Sequence, residues 1–382
     1  MRNVSVVAID HSEQMAGGQW SLIRLLQASV ASTNPVSHWH VIYNGRNTQF
    51  ARELERLSVS TSAVDFTASV WIRALKIYEA ARTVTKANDN VVFYGNTYEG
   101  GWWAGLYGRI LCRRSIFRVR LAPTLFSHGV IDYIVFFANQ NLIFNSFFVE
   151  AEFRRRFGAL SRLTGGKVIY NKIDDVSLIK DEDFQEPGIV KIGLIGRFEK
   201  IKNQRLVPPV ARYLLDCGIR DFSISIIGQD DFRDDGAYRR AVEADVEQFE
   251  VGAVVEVVQD RFSPDLVYFG LDAILTLSEV EALPRVVCEA GLRGITNIAV
   301  ARSGSIELVS DDPNAIQIFE LDVKSIAEAI EHFLKNFDRY LNRRQLGRNY
   351  YQNILSDSNT VKKELDFIAG HQIVENPRSI AR

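Results

Sequence analysis

TLSEVEALPRVVCEAGLRG, from Thr276 to Gly294, reads as the end of a buried strand, a short polar loop and a helix. The strand ends at Ser278. Pro284 opens the helix, because a residue without an N–H suits the first turn, and Gly294 closes it. A loop at a helix N-terminus offers free backbone N–H groups and a partial positive charge, which together favour an anion such as a diphosphate. Glu281 lies just before the helix, and Glu289 lies about 7.5 Å along the axis from Pro284 at about 1.5 Å per residue. That separation suits the two ends of a nucleotide-sugar, with one carboxylate accepting from sugar hydroxyls and the other from ribose hydroxyls. Taken alone, the two glutamates read better as solvated helix and loop surface, the usual place of Glu.

The same strand, loop and helix habit recurs on both sides of this segment. GIVKIGLIG, FSISIIG, AVVEVV, DAILTLS and TNIAVA are continuous apolar strands, each followed by a loop and a helical pattern. Strands of that kind are buried on both faces, as in parallel sheets. The first half alternates in the same way: NVSVVAI, a helix from about Gly18 to Ser32, HWHVIYN and NVVFYGN. DDVSLIKDEDFQEPG, ending in Pro187 and Gly188, shows neither periodicity and reads as the linker between two domains.

A chain of 382 residues suits two such domains with a cleft between them. With 47% hydrophobic and 24% charged residues and a formal charge of -2, it has ample core material and no global field for nucleic acid or an anionic bilayer, so attraction to phosphate must come from local basic residues. Three widely spaced cysteines, Cys112, Cys217 and Cys288, fit reduced thiols and a cytoplasmic setting better than a disulfide framework. No signal peptide or spanning helix is expected, since the most apolar stretch, around Ile131 to Phe148, is broken by Asp132 and by Asn139, Gln140 and Asn141.

In order and spacing, Ser278, Glu281, Leu283, Pro284 and Glu289 resemble the signature of the retaining glycosyltransferases of family 4. KIGLIGRFEKIKN, Lys191 to Asn203, matches that family too, with Arg197 and Lys202 in the turn after a strand, where preorganised cations neutralise a diphosphate leaving group without a metal. Gly17 and Gly18 in GGQW resemble its glycine-rich loop beside the donor phosphates, KVIYNKID (Lys167 to Asp174) its strand-to-linker segment, and ARSGSIELV (Ala301 to Val309) a loop whose amides face phosphate. His128 falls where the family often has a histidine near the reacting sugar, and a lone histidine is as often structural.

The resemblance implies an α/β fold of GT-B type: two Rossmann-like doubly wound domains facing each other across a cleft, with residues 1–175 binding the acceptor, 188–360 the nucleotide-sugar, and a tail over 361–382 packing back on the first domain. It implies transfer of a sugar from a UDP- or GDP-sugar, with retention, to a hydroxyl of a carbohydrate or lipid-linked carbohydrate, as in polysaccharide or lipopolysaccharide synthesis. The catalytic set is Glu281, Arg197, Lys202 and His128; Glu289, Gly17, Gly18, Ala282, Leu283 and Pro284 line the donor. No resident cofactor or metal and no nucleic-acid partner are expected, and a peripheral contact at the inner face of the membrane fits a lipid-linked acceptor. An epimerase on the same scaffold and a non-catalytic partner subunit are the rival readings.

Two departures stand out: Ala282 replaces the usual glycine, which tightens the loop at the donor sugar, and Pro208 and Pro209 interrupt the helix after Lys202, leaving it bent or short. GQDDFRDDG (Gly228 to Gly236) and the pair His38 and His40 read as solvated loop and structural residues rather than metal ligands. Trp102, Trp103, Tyr107, Arg109, Arg113 and Arg114 form a helix that is either core-packed with a charged outer face or a membrane interface, the former being the simpler account.

Overall fold

The computed structural model describes residues 4–31, 35–121, 129–171, 173, 188–231, 234–259, 266–355 and 360–370. The chain divides into two compact units, Met1–Lys172 with Ser358–Arg382, and Ile173–Asp357. Most of the expected linker, 174–187, lies outside the described residues.

The first unit runs β1 (Val4–Asp10), α1 (Gly17–Ala31), β2 (Val36–Asn44), α2 (Thr48–Arg56), β3 (Ser60–Val64), α3 (Val70–Ala87), β4 (Val91–Gly95), α4 (Tyr98–Ile110), β5 (Arg114–Val119), α5 (Val130–Ala138), β6 (Asn141–Phe144), α6 (Phe147–Phe157) and β7 (Gly165–Val168). All pairings are parallel, in the order β3-β2-β1-β4-β5-β6-β7. β1 is buried at every position because helices cover both sides of it. On one side Leu22, Leu26, Phe50 and Leu54 meet Val4, Val6 and Ala8. On the other, Ile77, Ala81, Trp103 and Tyr107 meet Val7 and Ile9.

The second unit runs β8 (Val190–Ile195), α7 (Val207–Asp216), β9 (Phe222–Gly228), α8 (Ala237–Gln248), β10 (Val255–Gln259), β11 (Ala273–Thr276), α9 (Arg285–Arg293), β12 (Thr296–Val300), α10 (Ser303–Val309), β13 (Ala315–Ile318), α11 (Val323–Lys335), α12 (Phe337–Leu341) and α13 (Arg344–Leu355). Its parallel sheet has the order β10-β9-β8-β11-β12-β13. Each sheet therefore reverses its strand order once, between β1 and β4 and between β8 and β11. In such sheets, ligands bind beyond the carboxyl ends of the strands at that reversal.

The last helix, α14 (Thr360–Ala369), belongs to the first unit, where Leu365 and Ile368 join the core beside Trp39 and Tyr94. The buried Tyr94 hydroxyl donates to Glu364 Oε1 at 2.7 Å, and Arg118 Nε lies 3.7 Å from the same oxygen.

Pro208 and Pro209 do not bend α7; they occupy its first turn. The N–H groups there have no intrahelical partner in any case, so proline removes nothing and presets the backbone angle. The aromatic helix ends at Ile110, so Arg113 lies beyond it and Arg114 begins β5, from which its guanidinium donates to the Phe367 and Ile368 carbonyls. Trp103 and Tyr107 are core residues, their rings stacked at 5.9 Å.

In the second unit α9 lies against α13 so closely that a Cβ on Gly291 would stand 2.1 Å from Tyr351 Cδ2. Tyr351 is fully buried, and its hydroxyl accepts from Asn297 at 3.1 Å and donates to the Leu308 carbonyl at 3.3 Å, so the ring cannot retreat. Gly291→Ala is expected to lower stability by about 1–3 kcal/mol, read from chemical denaturation.

Asp312, buried in the turn before β13, accepts from Asn314 N at 2.8 Å, yet burial pushes its carboxyl up to about 6. The folded chain holds this proton more tightly than the unfolded chain does. Stability therefore falls as pH rises from the ordinary carboxyl range to about 6 and stays lowered above it. Asp312→Asn keeps the acceptor and is expected to stabilise the protein above about pH 6 by up to about 3 kcal/mol, with no gain near pH 4 in thermal melts.

Candidate functional site

Three loops leave the carboxyl edge of the second sheet beside its reversal. The first, after β8, turns at Asn203, whose left-handed backbone (φ 55°) a short amide side chain tolerates. Asn203 Nδ2 donates to the Leu277 carbonyl at 2.9 Å, and Glu279 N donates to the Ile201 carbonyl at 3.3 Å. These bonds stitch the first loop to the second, after β11. Across the seam, Lys202 Nζ and Glu281 Oε1 form an ion pair although 79 positions separate them. Both side chains remain partly open, at 20% and 19% exposure, so each can reach a ligand.

Arg197, two residues beyond β8, is exposed, and its carbonyl accepts from Gln204 Nε2 at 2.7 Å. Among the described residues its guanidinium has neither a hydrogen bond nor an ion-pair partner, whereas Lys202 is paired with Glu281. The methylenes of Lys202 pass beside Gly196, 3.5 Å from where a Cβ would stand, which keeps both cations on one loop surface.

The third loop, after β12, holds Glu281 by its backbone. Glu281 N donates to Ser303 Oγ at 2.9 Å, and Gly304 N donates to the Glu281 carbonyl at 2.8 Å. A Cβ on Gly304 would lie 2.0 Å from the Ala282 carbonyl oxygen, so only glycine fits. Ser305 N is likewise engaged, by the Arg302 carbonyl at 3.2 Å. Two amides of the segment expected to face phosphate thus bond to protein, Gly304 to the Glu281–Ala282 turn and Ser305 to the turn's own Arg302 carbonyl. Ser303, at φ 53°, and Gly304 are site residues the sequence reading missed as such; a glycine between two serines directly after a buried strand was the available signal.

Ala282, Leu283 and Pro284 are buried, and α9 starts at Arg285 with Pro284 as its cap residue and Gly294 (φ 78°) ending it. Glu289 projects from this helix. Its Oε2 accepts from the Tyr268 hydroxyl and its Oε1 from Arg285 Nη2, both at 2.7 Å. Arg293, buried, stacks over the Tyr268 ring at 4.4 Å and donates to the Glu289 carbonyl at 3.0 Å. Burial and the neighbouring Glu289 hold the Tyr268 phenol well above its usual range, so it remains a donor. A carboxylate with one partner on each oxygen still has a lone pair free on each, enough to accept from a diol.

In the first unit, Gly17 and Gly18 start α1, fixed by a buried polar network at the β1–β4 reversal. Gln19 Nε2 donates to both Asp10 oxygens, and Asn96 Nδ2 donates to Asp10 Oδ2 at 2.6 Å and to the Gly18 carbonyl at 3.2 Å. Arg120 donates to Asn96 Oδ1 at 2.7 Å and to Asn171 Oδ1 at 2.9 Å. His128 and Asp174 lie outside the described residues. Of the acidic run and the histidine pair, Asp230 binds Arg239, Asp234 accepts from the Gly236 and Tyr238 amides, and His40 bridges Ser60 and Ser62.

The fold is shared with solved glycosyltransferases. The chain is similar to HepE from Anabaena, solved with UDP (TM-score 0.78, 16% identity, 96% of this chain and 100% of that one). It is also similar to a glycosyltransferase from Rickettsia africae (0.76, 12% identity, 97% and 99%) and to the lipopolysaccharide outer core galactosyltransferase WaaB (0.71, 13% identity, 94% and 99%). These likenesses identify the fold as GT-B, with two Rossmann-like parallel sheets. No curated protein matches the sequence. Residues 179–352, which carry Arg197, Lys202, Glu281, Glu289 and Gly304, match the family described as glycosyl transferases group 1.

Proposed function

We propose that this chain is a retaining, metal-independent glycosyltransferase of family 4 that moves a sugar from a nucleoside diphosphate to a hydroxyl of a saccharide or lipid-linked saccharide at the cytoplasmic face of the membrane. The observation that carries the reading is the meeting of Lys202 and Glu281 at the sheet reversal, inside the region that matches the family. The similar protein HepE was solved with UDP-glucose, which makes a UDP-sugar the first donor to try.

In this reading the diphosphate seats against Arg197 and Lys202, and Lys202 exchanges part of its pairing with Glu281 for the phosphate oxygens. Glu281 then turns its freed acceptor capacity to the sugar hydroxyls, while Glu289, oriented by Tyr268 and Arg285, accepts from the ribose. The bond from the anomeric carbon to the phosphate oxygen breaks as the acceptor oxygen bonds on the same face. The acceptor proton passes to the departing phosphate, so no protein base is needed. Charge growing on the phosphate in the transition state is met by cations already in place.

Lys202→Ala is expected to lower turnover by about 100-fold or more, while shifting the melting temperature by only a few degrees because the pair is partly solvated. Turnover is expected to persist in EDTA, and unchanged activity of the Lys202 variant would refute the assignment. UDP-glucose at about 100 times its dissociation constant is expected to raise stability by about 2.7 kcal/mol in a thermal-shift assay, and Glu289→Ala to abolish most of that rise.

A further inference from the structure

The first turns of α3, α4 and α5 each follow a strand of the first sheet, so they stand at its carboxyl edge, where ligands of such sheets bind. Between them lies a hollow of about 200 Å³, lined by Arg73, Tyr98, Glu99, Trp102 and Ile131. Thr97, the cap residue of α4, ties this place to the strand reversal. Its hydroxyl oxygen lies 2.7 Å from His11 Nδ1 and accepts from His11 N at 3.3 Å, just past the end of β1. All five lining residues belong to the first unit and none to the candidate donor site.

The lining sets a fixed aromatic plane beside an ion pair with unused hydrogen-bonding capacity. The buried Trp103 stacks on Trp102 at 5.1 Å with 15° between the planes, which holds the Trp102 indole in place. Glu99 Oε1 accepts from Arg73 Nη1 and, at 3.1 Å, from Trp103 Nε1. Among the described residues Glu99 Oε2 and Arg73 Nη2 have no partner, and the two side chains are partly open, at 22% and 18% exposure. The Tyr98 ring is pinned by its hydroxyl, which donates to the buried Asp132, itself paired with Arg156. Because the charges of Arg73 and Glu99 offset each other, the hollow presents a donor and an acceptor with no net field for an anion.

We infer that this hollow is a subsite for a neutral saccharide unit of the acceptor, adjoining the unit that receives the transferred sugar. A pyranose ring has a C–H face and vicinal hydroxyls that both donate and accept. The C–H face lies against Trp102, whose ring face carries negative charge density, and the hydroxyls donate to Glu99 Oε2 and accept from Arg73. A sugar acid is disfavoured, because Glu99 already occupies the charge of Arg73 and repels a second carboxylate. A second hollow of about 290 Å³ shares Trp102 and runs past Leu106, Ile134 and Phe137, but no carboxylate lines it. The inference rests on the proposed transfer to a hydroxyl acceptor, yet binding in the hollow needs no donor, so the two can fail separately.

The test is a tryptophan-fluorescence titration of the full chain, without donor, against neutral trisaccharides of glucose, galactose and mannose and against trigalacturonic acid. A saturable response to at least one neutral trisaccharide is expected, with binding of the acid at least about tenfold weaker. Glu99→Gln is expected to weaken the neutral trisaccharide about tenfold, and Ile134→Ser, in the second hollow, to leave it unchanged. With a UDP-sugar that stabilises the chain, the trisaccharide that binds is expected to be labelled, and Glu99→Gln to raise its KM about tenfold at unchanged kcat, because a subsite away from the reacting atoms holds ground and transition states alike. No response to any neutral trisaccharide, equal binding of the acid, or equal binding by Glu99→Gln would overturn the inference. So would binding lost in Ile134→Ser but kept in Glu99→Gln, or donor binding with no label on the bound trisaccharide. The comparison of neutral and acidic sugars uses the unmodified chain, so it decides even if a variant fails to fold, and failure of every UDP-sugar to stabilise the chain would count against the donor reading alone.

Discussion

The reversal of strand order between β8 and β11 is the constraint on which the candidate site depends. Two neighbouring parallel strands whose crossovers run in opposite directions must send their following loops to opposite sides, and a crevice opens where they part. Here the parting is bridged rather than open-ended. Asn203 reaches Leu277, Glu279 reaches Ile201, and Lys202 reaches Glu281, so the two loops share three direct links. A third loop then closes on the backbone of Glu281 through Ser303 and Gly304. The carboxylate is thus fixed from behind by main chain while its head stays partly solvated.

That arrangement separates what must be rigid from what must respond. The Glu281–Ala282 turn lies so close to Gly304 that no side chain fits between them, which leaves the turn little freedom to drift. The ion pair in front of it is only partly buried and so is worth little to the fold, yet it holds both side chains together at the carboxyl edge of the sheet. Glu289 sits in a more enclosed setting, with Tyr268 and Arg285 on its two oxygens and Arg293 beneath the Tyr268 ring. A group held from several sides recognises a fixed feature, whereas a group in a labile pair can change partners.

Much of this was legible in the sequence because it rests on local signals. The run FSISIIG matches β9 residue for residue, and TNIAVA differs from β12 by one residue, because continuous β-branched runs bounded by turns leave little choice. Gly294 ends α9 in the left-handed conformation that its place after the helix suggested. The less visible parts depend on contacts distant in sequence. β3 is short and polar on one side, since only its partner β2 and α3 cover it, so its pattern is weak. The role of Gly304 follows from where Ala282 lies in space, and the prolines of α7 looked like breakers only while the helix start was misplaced. Tyr268, Arg285 and Arg293 carried no motif; their grouping around Glu289 is a product of packing.

The placement of α14 bears on how the molecule is made. Glu364, Leu365 and Ile368 complete a core that includes Val4, so the first unit is assembled from two segments that flank the second, which is a single uninterrupted span. On a ribosome the second unit therefore emerges whole before its predecessor can finish. Until α14 has been made, the early-made sheet must wait with Trp39, Tyr94 and Arg118 lacking their final cover. The nascent N-terminal portion is then the part most in need of chaperone protection.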